Sequence, residues 1–189
     1  MERPMDGAPI TLTRAQEQDG GGTALLWVLV WSELVAFGLL FGAFLVTGIV
    51  QQDAFVQART HLNMSLAGLN TMVLLTSGYF AALAARGGAS SCQTRGALIA
   101  AALFGGLFTA IKLFEYAGEI VVAGDERFGS FFELYFLITG FHLVHVVFGS
   151  VVLLLVAIKV NRSNVLLITT LWHVIDLIWV LMFPLIYIA

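Results

Sequence analysis

The sequence predicts an all-α integral membrane protein, a bundle of five transmembrane helices. Its 189 residues are 59% hydrophobic and 11% charged, whereas a soluble domain is nearer half apolar and a quarter charged. The mean hydropathy is +0.93. Five apolar runs also reach the length of about 20 residues that a helix needs to cross a bilayer. Composition and run length together exclude an ordinary soluble domain.

The five apolar runs alternate with short polar connections. The runs cover residues 23–50, 64–85, 96–122, 131–159 and 165–189. Before them, residues 1–22 mix acidic and basic side chains and contain no positive segment followed by a short apolar core, so they do not resemble a signal peptide. We expect residues 1–22 to form a flexible tail and residues 23–189 to form a single five-helix domain.

The distribution of lysine and arginine predicts how the bundle is oriented. Six of them flank one side of the predicted membrane domain and two flank the other. The six are Arg3, Arg14, Arg86, Arg95, Lys159 and Arg162, and the two are Arg59 and Arg127. Because the side richer in positive charge faces the cytoplasm, this count predicts a cytoplasmic N-terminus and a C-terminus outside.

Net charge and cysteine usage exclude further classes of function. The net charge is −3 and no basic patch is visible, which argues against nucleic acid as a partner. Cys92 is the single cysteine. Neither an intrachain disulfide nor a thiolate metal cluster can therefore form within the chain.

The fourth apolar run carries two histidines, His142 and His145, although residues 134–158 have no formal charge. Tyr135, Thr139 and His142 follow helical spacing and share one stripe, and His145 lies beside it. Polar side chains are costly in a bilayer and usually face other helices. We expect the two imidazoles to form a hydrogen-bonded pair in the bundle interior. Ligation of a metal or of haem by these histidines is the alternative.

Glu33 places a carboxyl group well inside the first apolar run. Such an acid is costly unless it is protonated or paired. It could handle protons or lie next to lipid, or it could be a neutral acid that holds helices together. We expect Glu33 to lie close to His142 and His145.

The fifth apolar run has a polar segment of its own. Trp172, Asp176 and Trp179 share one helix face. His173 and Asp176 are three residues apart, which is close enough for the two side chains to pair. Such a pair can neutralise itself inside the membrane or serve as one step of a proton relay.

The third apolar run carries three charges, Lys112, Glu115 and Glu119, on one helix face. Lys112 can offset one of the two acids. The group forms either a solvated helix end or a contact with another subunit.

Glycine pairs predict close packing between helices. Gly38 and Gly42 are four residues apart in the first run, and Gly105 and Gly106 are adjacent in the third. Small residues let helix backbones approach closely in membranes. Glycine is also common in membrane helices generally, so each pair could instead have no packing role.

Five motifs occur along the chain in the order in which one known family has them. They are WSE at 31–33, LNTMVLLTSG at 69–78, KLFEY at 112–116, TGFHLVHVVFG at 139–149 and WHVIDLIW at 172–179. Together they resemble the cytochrome c oxidase subunit III family of the haem-copper oxidase superfamily. The resemblance extends over residues 27–187, which is most of the chain.

The resemblance implies a non-redox accessory subunit of a respiratory electron transport complex. Such a subunit packs on the haem-copper catalytic subunit of a terminal oxidase or a nitric oxide reductase, which carries the haem and metal. It supports assembly and proton uptake, binds membrane phospholipid, and has no catalytic centre, cofactor or metal of its own. Five helices instead of seven imply the bacterial short form, a multi-pass protein of the inner (cytoplasmic) membrane.

Ten residues are candidates for functional roles. The intramembrane polar residues, proton-handling or lipid-adjacent, are Glu33, His142, His145, His173 and Asp176. The residues expected at a subunit contact or interface are Lys112, Glu115, Glu119, Trp172 and Trp179. Three features depart from the family pattern: a longer approach to the fourth helix at residues 129–135, Lys112 where many members have a neutral residue, and unusually short connections. Together these departures favour the subunit-III-like proteins associated with nitric oxide reductases. A free-standing proton channel or small transporter that uses the five intramembrane polar residues is the alternative.

Overall fold

The computed structural model of the protein describes residues 9–88, 90–124 and 129–188. Within these ranges six helices follow one another. They are α1 (Pro9–Val50), α2 (Gln52–Arg59), α3 (Met64–Ala85), α4 (Ser91–Ala123), α5 (Gly129–Ile158) and α6 (Arg162–Tyr187). Five segments are long and apolar enough to cross a membrane, namely Trp27–Val50, Met64–Ala85, Ser91–Ile120, Gly129–Ile158 and Arg162–Tyr187. The prediction of an all-α membrane protein with five spanning helices is confirmed.

Helix α1 begins at Pro9 and continues to Val50, so it extends into the segment predicted to be a flexible tail. Once a helix has formed, each further residue adds one backbone hydrogen bond without a new nucleation cost, so a helix can continue into polar sequence. Residues 1–8, Arg127 and Ala189 lie outside the described residues. The flexible tail and the cytoplasmic N-terminus stay predictions.

The chain forms two compact units, Met1–Val35 and Ala36–Ala189. The described part of the first unit is a single helical stretch, residues 9–35. The second unit contains the rest of α1 together with helices α2 to α6. The helix bundle is therefore a property of the second unit.

Helices α3, α4, α5 and α6 form a closed ring of four within the second unit. Helix α3 packs against α4 and α6, and α5 packs against the same two helices. Each helix turns buried apolar side chains to the centre, such as Leu74, Leu98, Val146 and Ile168. Because lipid is as apolar as these side chains, close packing and interhelical hydrogen bonds must hold the ring together.

The short helix α2 occupies the first polar connection, where the sequence pattern predicts no helix. It buries Phe55 and Ala58, which are one helical turn apart. The Phe55 ring centroid lies 5.1 Å from that of Phe131 on α5 and 5.2 Å from that of Phe44 on α1. Eight residues with two buried positions give too weak a periodic signal to predict a helix, and tertiary packing stabilises it here.

Two arginines connect helix ends that are distant in the sequence. Arg59 Nε donates to the carbonyl of Ile186 at 3.1 Å, which joins α2 to the end of α6. Arg162 donates to the carbonyls of Ala85 and Arg86 at 2.6 and 3.1 Å, which joins the start of α6 to the end of α3. The last carbonyls of a helix lack intrahelical partners and attract cations. Partial burial lowers the pKa of the Arg59 guanidinium, which is still a cation at neutral pH.

Glycines let the indole ring of Trp172 pack between α4 and α5. A Cβ atom added to Gly105 would lie 2.8 Å from this ring, and so would one added to Gly149. Nonbonded carbon atoms are normally about 3.5–4.0 Å apart, so neither position has room for a side chain. The predicted close packing is confirmed at Gly105. At Gly38 and Gly42 it is wrong within this chain, because nothing lies within 4 Å of an added Cβ.

Gly105→Ala should destabilise the bundle, whereas the neighbouring Gly106→Ala should not. A methyl group at Gly105 must displace Trp172 or Ser150, and overpacking of this kind costs about 1–3 kcal/mol. Nothing lies within 4 Å of a Cβ at Gly106, so only a small gain in helix propensity remains there. Thermal unfolding of the two purified variants in mild detergent measures the difference. Equal midpoints would contradict tight packing around Trp172.

Candidate functional site

A buried cluster of polar side chains joins α4, α5 and α6. It consists of Lys112, Glu115, Tyr135 and Tyr187, and we call it the lysine cluster. Lys112 Nζ donates to Glu115 Oε2 at 3.0 Å. It also donates to the hydroxyl groups of Tyr135 and Tyr187 at 2.8 and 2.6 Å. Tyr187 in turn donates to Glu115 Oε1 at 2.6 Å, so the ammonium protons and both carboxylate oxygens have partners.

The lysine cluster is enclosed by protein. Lys112 is 0% exposed and Glu115 is 5% exposed, so their ion pair lies in a low-dielectric interior and needs all of its hydrogen bonds. Lys112 Nζ also lies 4.9 Å from the ring centroid of Tyr135 and 5.4 Å from that of Trp179, a range in which aromatic rings attract cations. The predicted pairing of Lys112 with one acid is confirmed, and the alternative of a solvated helix end is wrong.

A further hydrogen bond joins α4 to α5 beside the lysine cluster. Thr139 Oγ1 donates to the carbonyl of Tyr135 at 2.6 Å. Tyr116 Oη lies 2.6 Å from the same Thr139 oxygen, and because the threonine proton is already used, Tyr116 is the donor. Glu119, one turn further along α4, is buried as well. Helix α4 therefore presents a continuous polar stripe to its neighbours.

His142 lies in the centre of the ring, enclosed by aromatic side chains. It is fully buried, and its ring is stacked on Trp179 with 5.2 Å between centroids. The rings of Phe37 and Phe108 meet it edge-on at 6.2 and 5.9 Å. Neither ring nitrogen makes a hydrogen bond to any described residue. Buried polar groups usually have partners, so His142 retains unused hydrogen-bonding capacity.

His145 lies on the face of α5 next to that of His142, and the rings of both residues lie near Phe37. His145 Nδ1 donates to the carbonyl of Phe141 at 2.7 Å, and its ring centroid lies 4.6 Å from that of the same residue. Side chains three residues apart on a helix point in directions that differ by about 60°. One imidazole therefore enters the core while the other stays half-buried, and the predicted hydrogen bond between the two is wrong.

Helix α3 contributes two buried polar residues that sequence analysis did not single out. Asn70 and Ser77 donate to backbone carbonyls of α4 at 3.2 and 2.6 Å, so they join α3 to α4 at two levels. Their seven-residue spacing in an uncharged run is a helical signal that could have identified them. Tyr187 gives no such signal, because 75 positions separate it from Lys112.

The polar residues of α6 lie against α3. His173 Nδ1 and Asp176 Oδ2 are 3.8 Å apart, which confirms that these two residues pair. The Asp176 carboxylate sits over Gly78 and occupies the space that a Cβ at this position would need. One turn further on, Trp179 Nε1 donates to Thr71 Oγ1 at 2.9 Å. The glycine and the threonine thus hold one face of α6 on α3 at two successive turns.

Two predictions about site residues remain: the proximity of Glu33 to the histidines, and the contact of five residues with another subunit. Glu33 is half-buried in the first unit, and its proximity to His142 and His145 stays a prediction. The residues predicted at a subunit contact are all buried in the ring. They are Lys112, Glu115, Glu119, Trp172 and Trp179. Their contact with another subunit stays a prediction.

The polar groups connect helices, and several of them retain atoms that could take further partners. Within residues 9–88, 90–124 and 129–188, no three His, Cys, Asp or Glu side chains come together in a group that could hold a metal ion. The hydrogen bonds described above link α3 to α4 and join α4, α5 and α6. Among the described residues, atoms without a hydrogen-bond partner remain on His142 (both ring nitrogens), Glu119 (both carboxylate oxygens), Asp176 (Oδ1), Asn70 (Oδ1), Ser150 (Oγ) and Trp172 (Nε1).

Lys112→Met should strongly destabilise the chain, because it leaves the Glu115 carboxylate buried without its cation. Breaking a buried ion pair in this way costs about 3–5 kcal/mol. The double variant Lys112→Met/Glu115→Gln carries no buried charge at this site and should recover most of the loss. Thermal unfolding in mild detergent compares the two. A single variant as stable as the unmodified chain would contradict the role of the lysine cluster.

Comparison with known proteins identifies similar chains. A "Heme-copper oxidase subunit I+III" from Aeropyrum pernix is 26% identical over 184 residues, which are 87% of this chain but 22% of that protein. A "Cytochrome c oxidase subunit 3" from Thermostichus vulcanus is 26% identical over 194 residues, covering 96% of this chain and 94% of the relative. A "Cytochrome bo(3) ubiquinol oxidase subunit 3" from Buchnera aphidicola is also 26% identical, with 86% and 83% covered.

The family comparison covers nearly the whole chain. The model of the family described as cytochrome c oxidase subunit III matches residues 20–189. This range contains all four helices of the ring and each of the five sequence motifs. The chain is a multi-pass membrane protein that belongs to the cytochrome c oxidase subunit III family.

Proposed function

We propose that this chain is the non-redox accessory subunit of a haem-copper complex in a respiratory electron transport chain. The complex is a terminal oxidase or a nitric oxide reductase in the inner (cytoplasmic) membrane of a bacterium. Its catalytic subunit carries the haem and metal, and this chain supports assembly and proton uptake. The observation that carries the proposal is the family match over residues 20–189. The relatives named as subunit 3 of cytochrome c and ubiquinol oxidases support it.

The way the chain uses its polar groups supports a scaffold role. The lysine cluster and the hydrogen bonds of Asn70 and Ser77 are directed at neighbouring helices of the same ring. The outward faces are apolar and include the exposed side chains of Phe114 and Phe148. A bundle of this kind offers lipid and other membrane chains a surface of fixed shape, which suits a supporting subunit.

A free-standing proton channel has less support. Proton transfer through a membrane needs a continuous series of hydrogen-bonded groups or water. His142 is instead enclosed by the rings of Phe37, Phe108 and Trp179, and its nitrogens have no partner among the described residues. The similar proteins are named as oxidase subunits, which also favours the accessory role.

A tagged chain purified from its native membranes in mild detergent should retain a haem-containing catalytic subunit. The eluate should show haem bands in a reduced-minus-oxidised spectrum, and identification of the co-purifying chain decides between oxidase and nitric oxide reductase. Glu33→Gln and His145→Ala should lower sustained turnover or assembly and leave the haem bands of the assembled complex unchanged. A colourless eluate that contains this chain alone would contradict the proposal, as would loss of a haem band in either variant.

Bound phospholipid is a further part of the proposal. A cavity of about 210 Å³ at one end of the ring is lined by Arg86, Arg162, Ser91 and Thr94. Guanidinium and hydroxyl groups are good partners for phosphate oxygens, and basic pockets between membrane helices bind anionic lipid headgroups. The ends of membrane-spanning helices lie at headgroup level, so the cavity fits the headgroup of an anionic phospholipid.

Arg86→Gln should reduce the anionic phospholipid that co-purifies with the chain. An arginine near the membrane surface contributes about 1 kcal/mol to anionic lipid binding, so occupancy should fall severalfold. Arg95→Gln is the matched control, since Arg95 is exposed at the start of α4 and does not line the cavity. Mass spectrometry of bound lipid per chain is the readout. Equal lipid content in the two variants would contradict binding at this cavity.

A further inference from the structure

A groove between α3 and α6 brings hydrogen-bonding side chains to the outer surface of the ring. Its volume is about 410 Å³, and we call it the α3–α6 groove. Its lining includes Gly78, Tyr79 and Ala82 of α3 and His173, Asp176 and Leu177 of α6. Asp176 is close to the midpoint of α6, so the polar part of the groove lies deep in the hydrocarbon layer.

The polar pair in the α3–α6 groove is only partly enclosed by this chain. The His173 side chain is 47% exposed and that of Asp176 is 9% exposed. Tyr79 beside them is 58% exposed. Asp176 Oδ1 makes no hydrogen bond to any residue that the structure describes. Polar side chains in membrane-spanning segments almost always face protein or a water-filled cavity, so acyl chains alone are a poor environment for this surface.

We propose that the α3–α6 groove is the docking site for a transmembrane helix of the catalytic subunit. That helix places one uncharged hydrogen-bonding side chain, a hydroxyl or a carboxamide, against His173 and Asp176. The inference rests on the proposed function, because it takes the catalytic subunit as the neighbouring chain. It goes beyond that function by naming the contact surface and the chemistry of the contact.

The chemistry of the polar pair selects the occupant. Acyl chains have no hydrogen-bonding groups, and phospholipid headgroups lie at the membrane surface, so a phospholipid would leave the pair unsatisfied. His173 and Asp176 are close enough to neutralise each other, and a third charge would remain unbalanced in the low-dielectric interior. A hydroxyl or carboxamide both donates and accepts hydrogen bonds and adds no charge.

The shape of the α3–α6 groove also suits a helix. Ala82 of α3 is small and exposed in the groove, whereas Gly78, one turn away, is covered by Asp176. A small residue lets a second helix backbone come close in a membrane. The exposed side chains of Tyr79 and Leu177 line the groove from α3 and α6 respectively. A docked helix would therefore contact both helices and cover the polar pair from outside.

Photocrosslinking in the purified complex tests where the catalytic subunit lies. A benzoylphenylalanine at Tyr79 or at Leu177 should crosslink to a transmembrane helix of the catalytic subunit. The control position is Phe148 on α5, the helix that lies opposite α3 in the ring and on which Phe148 is exposed. Crosslinks from Tyr79 and Leu177 only to lipid, or only to a second copy of this chain, would overturn the inference.

Substitution of the half-exposed histidine tests the polar contact. His173→Leu also removes the partner of the buried Asp176 carboxylate, so its retention of the catalytic subunit is measured below the thermal midpoint of the isolated variant. The substitution should lower retention of the catalytic subunit on dilution in detergent about threefold to tenfold, which is the effect of one interhelical hydrogen bond. His173→Gln keeps a hydrogen-bonding group and should restore much of the retention.

The outcomes separate this inference from the proposed function. If the unmodified chain retains the catalytic subunit and His173→Leu retains it equally well, the polar contact in the groove is overturned and the accessory role stands. If the unmodified chain retains no catalytic subunit under the same conditions, the proposed function fails and the docking site fails with it.

Discussion

The buried ammonium group of Lys112 is the interaction on which the ring of helices depends. In the hydrocarbon layer no water can replace a hydrogen bond that the protein fails to make. The three protons of the Lys112 ammonium group are donated to an acid on α4 and to hydroxyl groups on α5 and α6. None of these helices can rotate or slide without leaving a charged group unsatisfied, and that penalty exceeds what the pair contributes when it is intact. The cluster therefore specifies one arrangement more than it adds stability.

The bundle contains both satisfied and unsatisfied buried polar groups. Asn70, Ser77 and the lysine cluster have hydrogen-bond partners on neighbouring helices, and these groups fix the packing. His142 and Asp176 are buried and retain unpaired atoms within the described residues. The first is sealed by aromatic rings, whereas the second lies at the edge of an open groove. The unpaired atom of Asp176 can therefore meet a group of another chain, whereas the nitrogens of His142 cannot do so without movement of the rings around them.

Hydropathy and helical spacing predict most of the fold. Within the site they predict only contacts between residues of the same helix. Run length identifies the five spanning helices, and spacing identifies the ion pair of Lys112 with Glu115, because both are local properties of one helix. The third helix that joins this pair, through Tyr187, comes from a distant segment. Local sequence does not identify the closely packed glycines either. A Cβ added to Gly105 would contact an indole ring, whereas nothing lies within 4 Å of one added to Gly38. Sequence spacing gives the face of a helix but not the neighbour it meets.

The order in which the helices are made has a consequence for membrane insertion. Tyr187 is synthesised 75 positions after Lys112, so the lysine enters the bilayer before one of its three hydrogen-bond acceptors exists. Until α6 arrives, α4 and α5 carry an incompletely satisfied charge next to lipid. Such an intermediate is costly in hydrocarbon, and insertion of the last helix relieves the cost. Completion of the ring is thereby coupled to the insertion of its last helix, and a chain cut short before α6 would keep this cost.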